Sequence, residues 1–399
     1  MKIIYITIGI IALIVFPVFG QSYHSTVLLD MPSGCNSAAV SAMGNVNIIA
    51  PEGAANAVLS PANLPSRCGF YASFQSKINY HKEKRAMPLF DSFNDQVAMS
   101  IYNSNNNSYL SGSAFVGYRL KGEWSPTLAI GYGPVYDSRY NYSHMVRNSD
   151  DEYQYTDAIT NEGMLSGPTF ATGMTLSKWG RIGMGISILS GEYEFTSSDT
   201  VQLLDLSKDV VNFGDDLSAT VLMVNGVFTP TNRIELGFSY SPSAELEGSD
   251  PYPHNLPSKL GFAVGFRPSG YEISHIIFEA EQIGYEDISD TYKEYAYFDN
   301  TWAFRFGIEH ILPSGVPIRA GAYHYEIPIS RAVTRTGLTC GSGFKIPHAT
   351  VNFGVGYLMS TYDQHQLFSK TTDTESEEII IDEVRETGLY GNIGINIEF

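Results

Sequence analysis

The last eleven residues, Leu389-Tyr390-Gly391-Asn392-Ile393-Gly394-Ile395-Asn396-Ile397-Glu398-Phe399, place apolar side chains at nearly every second position. Successive side chains of a β-strand point to opposite faces, so Leu389, Gly391 and the three isoleucines share one face with Phe399. The other face is mostly polar or small. An apolar face can contact lipid while a polar face lines a wet lumen, and this pattern is typical of a strand in a transmembrane β-barrel.

The same alternation recurs upstream, with charged residues on the face opposite the apolar one. The further apolar faces are Ile234, Leu236, Phe238 and Tyr240; Leu260, Phe262, Val264 and Phe266; Trp302, Phe304, Phe306 and Ile308; and Val351, Phe353, Val355 and Tyr357. Opposite them lie Glu235, Arg305 and Glu309. Burying these charges unpaired in a dry core would cost several kcal/mol each. We therefore expect them to point into a hydrated lumen.

From about Gly69 onward the chain divides into alternating segments of roughly ten residues. Short turns such as Pro313-Ser314-Gly315 separate some of them. Long polar connections are expected at Tyr136 to Gly163, Thr196 to Asp216, Glu286 to Asn300 and Lys370 to Glu386. Short turns at one end and long loops at the other are typical of outer-membrane barrels. We predict an all-β fold, a transmembrane antiparallel β-barrel over 69–399 with twelve to fourteen strands and fourteen as the preferred number.

Composition supports a membrane protein and excludes several other classes. Of 399 residues only 17% are charged, below the quarter typical of soluble domains, while 26 are Tyr and 22 are Phe. The net charge of −18 argues against nucleic acid as a partner, because phosphate binding needs a basic surface.

The first 68 residues do not alternate. Residues 1–20 have a basic start at Lys2 and an apolar run before Gly20, which is typical of a secretory signal peptide; an uncleaved anchor is the alternative. Residues 21–68 are rich in small side chains, especially over 53–65. We expect them to form a plug inside the lumen, with a mobile exported N-terminus as the alternative. An exported chain without a second long apolar run fits the outer membrane of a Gram-negative bacterium.

Cysteine and catalytic motifs add little. Cys35 and Cys68 could form a disulfide in an oxidising compartment, or all three cysteines, with Cys340, could have no special role. The sequence has no HExxH, no G-x-S-x-G and no P-loop, and its nine His residues lack metal-ligand spacing. We expect no enzymatic activity, no cofactor and no metal.

Several segments resemble the FadL-like outer-membrane transporters of long-chain fatty acids and aromatic hydrocarbons. Residues 54–64, Ala-Ala-Asn-Ala-Val-Leu-Ser-Pro-Ala-Asn-Leu, are similar to the family's plug motif Asp-Ala-Ser-x-x-x-x-Asn-Pro-Ala-x-Leu, with Ser60 where the family has Asn. Further similar segments are 234–242, 246–248, 256–260, 301–310 and 318–323, followed by Pro328. This resemblance implies a plug that contains Ser60, Pro61 and Ala62.

The resemblance also implies a route. A hydrophobic ligand would be captured among the loops, pass to a pocket above the plug, and leave through a lateral opening in a kinked strand. Leu128 to Tyr136 is similar to that strand, with the opening at Gly131, Gly133 and Pro134. Pro134 lacks an amide hydrogen and glycine weakens a strand, so pairing should break there. Alternatively, Gly and Pro simply end a strand.

The best candidate for the loop groove is the apolar segment from Val201 to Phe213. Its candidate ligand-binding residues are Leu203, Leu204, Leu206, Val210, Val211 and Phe213. Leu203, Leu206 and Val210 have helical spacing, which favours a short loop helix with one apolar face; a loop folded over its own small core is the alternative.

The expected partners are a hydrophobic small molecule or lipid and the lipids of the outer membrane. The expected oligomeric state is a monomer. Because acidic loops would repel carboxylates, a neutral hydrocarbon is as good a candidate as a fatty acid. A barrel that serves as a scaffold or secretion partner without transport is the alternative function.

Overall fold

The computed structural model describes residues 37–67, 69–93, 95–122, 126–147, 150–200, 208–248, 255–270, 273–285, 299–328, 330–368 and 381–399. The predicted signal peptide, the Cys35–Cys68 pair and the loop residues Leu203, Leu204 and Leu206 lie outside these ranges. None of the helices within the described ranges has the length and apolar character needed to cross a membrane.

Strands dominate the described residues. They are β1 (Gly69–Phe90), β2 (Gln96–Arg119), β3 (Thr127–Asp137), β4 (Tyr140–Arg147), β5 (Tyr153–Thr175), β6 (Gly180–Thr200), β7 (Lys208–Thr231), β8 (Ile234–Ser241), β9 (Ala244–Glu247), β10 (Asn255–Leu256), β11 (Ser258–Phe266), β12 (Ser274–Gly284), β13 (Thr301–Ile311), β14 (Pro317–Ile327), β15 (Ser330–Ile346), β16 (Ala349–His365) and β17 (Ile381–Glu398). The described helices are α1 (Ala38–Ser41) and three 3-10 turns at Ala54–Ala57, Pro61–Asn63 and Ser177–Trp179.

The strands form one closed antiparallel barrel. Neighbours in sequence pair with each other, and β17 pairs with β1 from Tyr71↔Glu398 to Ala86↔Glu383, which closes the sheet. Three crossings of the wall consist of two consecutive strands each, namely β3 with β4, β8 with β9, and β10 with β11. Counting each such pair once gives fourteen wall strands, so the predicted fold and strand number are confirmed.

Side chains alternate across the wall as the sequence predicts. In β8 the apolar residues Leu236 and Phe238 are exposed on the outer face, while Glu235 points inward and is buried. In β13, Trp302 and Phe304 face outward and Arg305 inward. A closed ladder satisfies every backbone group that would otherwise be unpaired in lipid, which is why this pattern requires closure.

The strands are longer than predicted, and this corrects the expected loops. β1, β2 and β7 have 22, 24 and 24 residues, more than the 9–11 or so that cross a membrane. The connections expected at Tyr136 to Gly163 and Thr196 to Asp216 are largely strand, and so is the segment that holds Val210, Val211 and Phe213. The predicted loop helix is therefore wrong at Val210. Outside the lipid both faces of a hairpin can be polar while its ladder continues, so polarity did not mark a loop.

Residues 37–67 contact the inner face of the wall on several sides. Met43, Val46, Ile48 and Ile49 form a buried cluster with Val227, Ala263 and Ile277. The backbone approaches so closely that a Cβ on Gly321 would lie 2.2 Å from the amide nitrogen of Gly44, whose own φ of +69° favours glycine. Small residues in both the segment and the wall permit this approach.

Candidate functional site

The third wall strand separates from β2 after Tyr132 while it stays paired with β5. β3 alternates between buried and exposed side chains up to that residue, and then five consecutive residues, 133–137, are all buried. Its pairing with β2 ends at Ala114↔Tyr132, while pairing with β5 continues with a register shift between Pro134 and Tyr136. Pro has no amide hydrogen to donate to a ladder. The strand thus bends inward from Gly133 and Pro134, two of the residues singled out from the sequence, whereas Gly131 is still paired with Phe115 of β2.

Beyond the bend, side chains take the place of a backbone ladder between β2 and β4. Asn103 Nδ2 donates to the carbonyl oxygen of Ser143 at 2.9 Å, and Asn107 Nδ2 donates to that of Asn141 at 2.7 Å. Asn105 Nδ2 also donates to the Asn141 carbonyl. We call Asn103, Asn105 and Asn107 the asparagine seam. Backbone ladders join strands continuously, so this part of the wall is held by fewer bonds than the rest.

A buried polar cluster holds β4 to the inner face of β1. Tyr140 Oη donates to Glu83 Oε2 at 2.8 Å, and Arg85 Nε donates to Glu83 Oε1 at 2.6 Å. The Arg85 guanidinium lies 5.4 Å from the centre of the Tyr142 ring. Burial of these charges is offset by the ion pair and by the hydroxyl donor. The bent strand is therefore fixed on its inner side as well as along the seam.

A cavity of about 180 Å³ lies between the bent strand and the N-terminal segment. Val135 and Tyr136 of the bend line it on one side, and Val58 and Leu59 of the N-terminal segment line it on another. The remaining lining includes apolar and aromatic side chains together with charged ones. These are Tyr109, Val221, Met223, Tyr323, Tyr325, Leu358 and Tyr390, with Lys77, Lys259, Glu281, Arg305 and Arg335.

The cations of the cavity lie against rings or carboxylates. Lys77 Nζ lies 5.1 Å from the centre of the Tyr390 ring, and Lys259 Nζ lies 5.1 Å from that of Tyr136. Ammonium groups are attracted to the faces of aromatic rings at this distance. The cavity therefore combines aromatic surface with held positive charge.

Hydrogen bonds from several wall strands hold the N-terminal segment. Asn225 Oδ1 accepts from the Ala62 amide at 2.9 Å, and Asn225 Nδ2 donates to Ser60 Oγ at 2.7 Å. Glu279 Oε2 accepts from the amides of Asn47 and Ile48, each at 2.9 Å. These contacts place Ser60, Pro61 and Ala62 against the wall.

Further contacts come from two other strands. Thr339 Oγ1 accepts from the Gly44 amide at 2.8 Å, and Gln75 Oε1 accepts from the Ala38 amide at 3.0 Å. Together with Asn225 and Glu279, they anchor the segment to β1, β7, β12 and β15.

Each of the three predicted lumen charges has an oppositely charged partner. Arg305 Nη2 lies 2.6 Å from Glu281 Oε2 and also pairs with Glu279. Glu309 Oε2 lies 2.7 Å from Arg319 Nε. Glu235 contacts the side chains of Arg181, Arg267 and His275. Carboxylate and guanidinium partners thus offset part of their burial, and the expected hydration of the lumen stays a prediction.

Sequence reasoning missed the asparagine seam and the polar cluster beneath it. A signal for the seam was present, because Asn is depleted in strands and yet recurs at Asn103, Asn105 and Asn107 with strand periodicity. Of the predicted loop groove, only Val210, Val211 and Phe213 fall in described backbone, and their role stays a prediction. Within the described ranges no group of three or more His, Cys, Asp or Glu could hold a metal ion.

Comparison with known proteins supports the fold. No protein-family model and no curated protein matches the chain. A Pseudomonas aeruginosa FadL homologue aligns with a TM-score of 0.61 at 10% identity, over 92% of this chain and 99% of that one. The Pseudomonas putida toluene transporter TodX aligns with a TM-score of 0.63 at 9% identity, over 92% of this chain and 99% of that one. The Ralstonia pickettii toluene transporter TbuX aligns with a TM-score of 0.59 at 12% identity, over 91% of this chain and 98% of that one. The chain therefore has the fold of the FadL-like barrels.

Proposed function

We propose that this protein transports hydrophobic small molecules across the outer membrane of a Gram-negative bacterium, with release through the side of the barrel. The observation that carries the proposal is the position of the cavity, which the inward bend of β3 lines on one side and the N-terminal segment on another. A bound molecule would thus contact both a blocking element and a weak point in the wall. The toluene transporters with the same fold make this function more plausible.

The size of the cavity favours a ligand of about one ring. Its volume is about 180 Å³. A protein cavity of roughly 150 Å³ accommodates benzene. An extended long-chain fatty acid needs several times that space, so of the two ligand classes considered from the sequence we propose the neutral hydrocarbon.

We propose that residues 37–67 act as the plug. The segment lines the cavity with Val58 and Leu59, and the wall holds it by hydrogen bonds to Ser60 and Ala62 among others. A ligand in the cavity would therefore be separated from the far side of the barrel by packed backbone. Lateral release needs no movement of this packed segment, whereas axial release does.

The proposed exit lies between β2 and the bent strand. Among the described residues, the part of β2 before Ala114 has no backbone partner on this side, and the asparagine seam bridges the space. Hydrogen bonds from side chains can break singly, which makes this the least costly place to separate two wall strands. Gly131, Gly133 and Pro134 set the bend that creates it.

A reversible cross-link tests the exit. In a variant without native cysteines, Asn105→Cys and Asn141→Cys are bridged by a short disulfide-containing thiol reagent. The matched control bridges Ser360→Cys and Thr334→Cys elsewhere in the wall, between β16 and β15, where a side chain also bonds a neighbouring carbonyl. We expect uptake of labelled toluene to fall when the first pair is bridged, to recover on reduction, and to be unchanged in the control.

Two results would contradict the proposal. Uptake that persists with the seam bridged would mean that the ligand leaves elsewhere. Uptake at background in the uncross-linked protein would instead favour the scaffold function. Cross-linking is preferred to filling the bend with Gly131→Val, because even a Cβ on Gly131 would lie 1.8 Å from the ring of Phe115.

A further inference from the structure

The outer face of β1 changes character abruptly along its length. Phe74, Ile78 and Tyr80 are exposed on this face, and the next two outward positions are Lys82 and Lys84. Tyr80 Oη donates to Asn106 Oδ1 on β2 at 3.1 Å. A tyrosine with an apolar ring and a bonded hydroxyl is typical of the boundary between hydrocarbon and headgroups. The lysines thus lie at the level of the lipid headgroups.

The neighbouring strands add a third cation and several polar groups. In the strand register Lys84 lies directly opposite Arg385 on β17 and opposite Ser104 on β2. Lys82 lies opposite Thr387 and Asn106. We call Lys82, Lys84 and Arg385 the basic triad. Like charges directly opposite each other in a sheet destabilise the pair unless an anion lies between them.

Acidic side chains only partly compensate the triad. Arg385 Nε lies 2.5 Å from Glu383 Oε1, but in the described part of the chain neither Lys82 nor Lys84 forms an ion pair. Glu83, which lies between the two lysines in sequence, and Glu386, which follows Arg385, are buried on the inner face. In a protein with a net charge of −18, a local excess of positive charge on the outer face needs a reason.

We propose that the basic triad binds the phosphate of a membrane lipid headgroup at the outer-leaflet surface. Three cations with flanking Ser104 and Thr387 hydroxyls provide the donors that a phosphate accepts. Directly below, Ile78 and Leu389 are exposed on the same face, so acyl chains of the same molecule would contact apolar surface. Because the basic triad adjoins this apolar surface, a lipid is favoured over free phosphate. The inference depends on membrane insertion and is independent of transport.

The test measures binding of bisphosphorylated lipid A to the full chain in nanodiscs of phosphatidylcholine. Lys82→Gln and Lys84→Gln are made singly and together. Arg147→Gln is the matched control, because Arg147 is also exposed, at the end of β4, and pairs with Asp151. Each cation near a charged lipid surface contributes about a fivefold change in affinity. We expect about fivefold weaker binding for each single variant, about 25-fold for the double variant, and no change for Arg147→Gln.

A second readout separates binding from general damage to the barrel. Without anionic lipid, Lys84→Gln should raise the unfolding temperature, because it removes a like-charge pair. With lipid A present, the wild type should instead have a higher unfolding temperature than Lys84→Gln. Lys84→Arg should bind as the wild type does.

Several results would overturn the proposal. One is equal affinity in the wild type and both single variants. Another is no reversal of the unfolding temperatures when lipid A is added. Displacement of lipid A by low millimolar inorganic phosphate would show a free-anion site instead of a lipid site.

Discussion

Removal of the asparagine seam should open the side of the barrel. We consider Asn103→Ala, Asn105→Ala and Asn107→Ala together, which deletes three amide donors that bridge β2 and β4. A typical hydrogen bond contributes about 1 kcal/mol net to stability. Three bonds give about 3 kcal/mol, and because about 1.4 kcal/mol is a factor of ten, separation of the two strands should become about 100-fold more favourable.

Two measurements report this separation. Spin labels at Ser104 on β2 and at Met145 on β4, both exposed, should show a longer and broader distance distribution in the triple variant than in the wild type. Initial uptake of labelled toluene should rise if opening limits the rate. The matched control is Asn106→Ala, the same substitution on the same strand, since Asn106 faces outward and bonds Tyr80 instead of β4.

The reasoning is refuted if the triple variant keeps the wild-type distance distribution and uptake while its barrel remains heat-modifiable in mild SDS. A triple variant that differs no more than Asn106→Ala would show that the seam bonds do not limit separation. If the distance increased but uptake did not, the seam would be a structural contact and would not be part of the transport route.

The remaining predictions concern residues 37–67, the proposed plug. Gly183→Ala should displace the proposed plug and raise conductance in a planar bilayer, because the new Cβ would lie 2.3 Å from the Ala62 amide nitrogen. The matched control is Gly391→Ala, which should leave conductance unchanged because the nearest atom to its new Cβ is 3.6 Å away. Asn225→Ala should make residues 37–67 more sensitive to protease, since it leaves Ala62 N–H without its acceptor at a cost of about 1–3 kcal/mol. Glu279→Gln should lower the midpoint of unfolding in guanidinium chloride, because it removes the charge that pairs with Arg305 and accepts from two amides of residues 37–67. The expected loss of stability is about 1–3 kcal/mol.

The barrel wall could be predicted because the membrane imposes a local rule on every strand. Most outward residues in lipid are apolar, so alternation at Phe238 or at Trp302 carries the same information wherever it occurs, and counting the alternating segments leads to fourteen. Strand ends could not be predicted in this way. Once β1 and β2 leave the lipid, the rule no longer applies to Lys82 or Asn106, although the ladder between them continues.

The bend could be located but its direction could not. Pro134 and its glycines indicate a break in pairing, yet a strand end and an inward bend begin with the same residues. The difference lies in contacts far apart in sequence, such as Tyr140 with Glu83 and the seam with β4. Each of these residues looks like an ordinary polar side chain until the fold brings the partners together.

The inward charges show how a correct observation led to an incomplete explanation. Arg305 and Glu235 alternate with lipid-facing residues, which identifies the inner face, and a hydrated lumen is one way to accommodate them. In the structure Glu279 binds both Arg305 and the amides of Asn47 and Ile48, while Arg181 binds both Glu235 and the side chain of Asn63. An unfilled barrel could leave such charges to water, whereas a barrel with an inner segment can use them as anchors. Charged positions on the inner face of a barrel that also has a small-residue N-terminus therefore indicate where that segment docks.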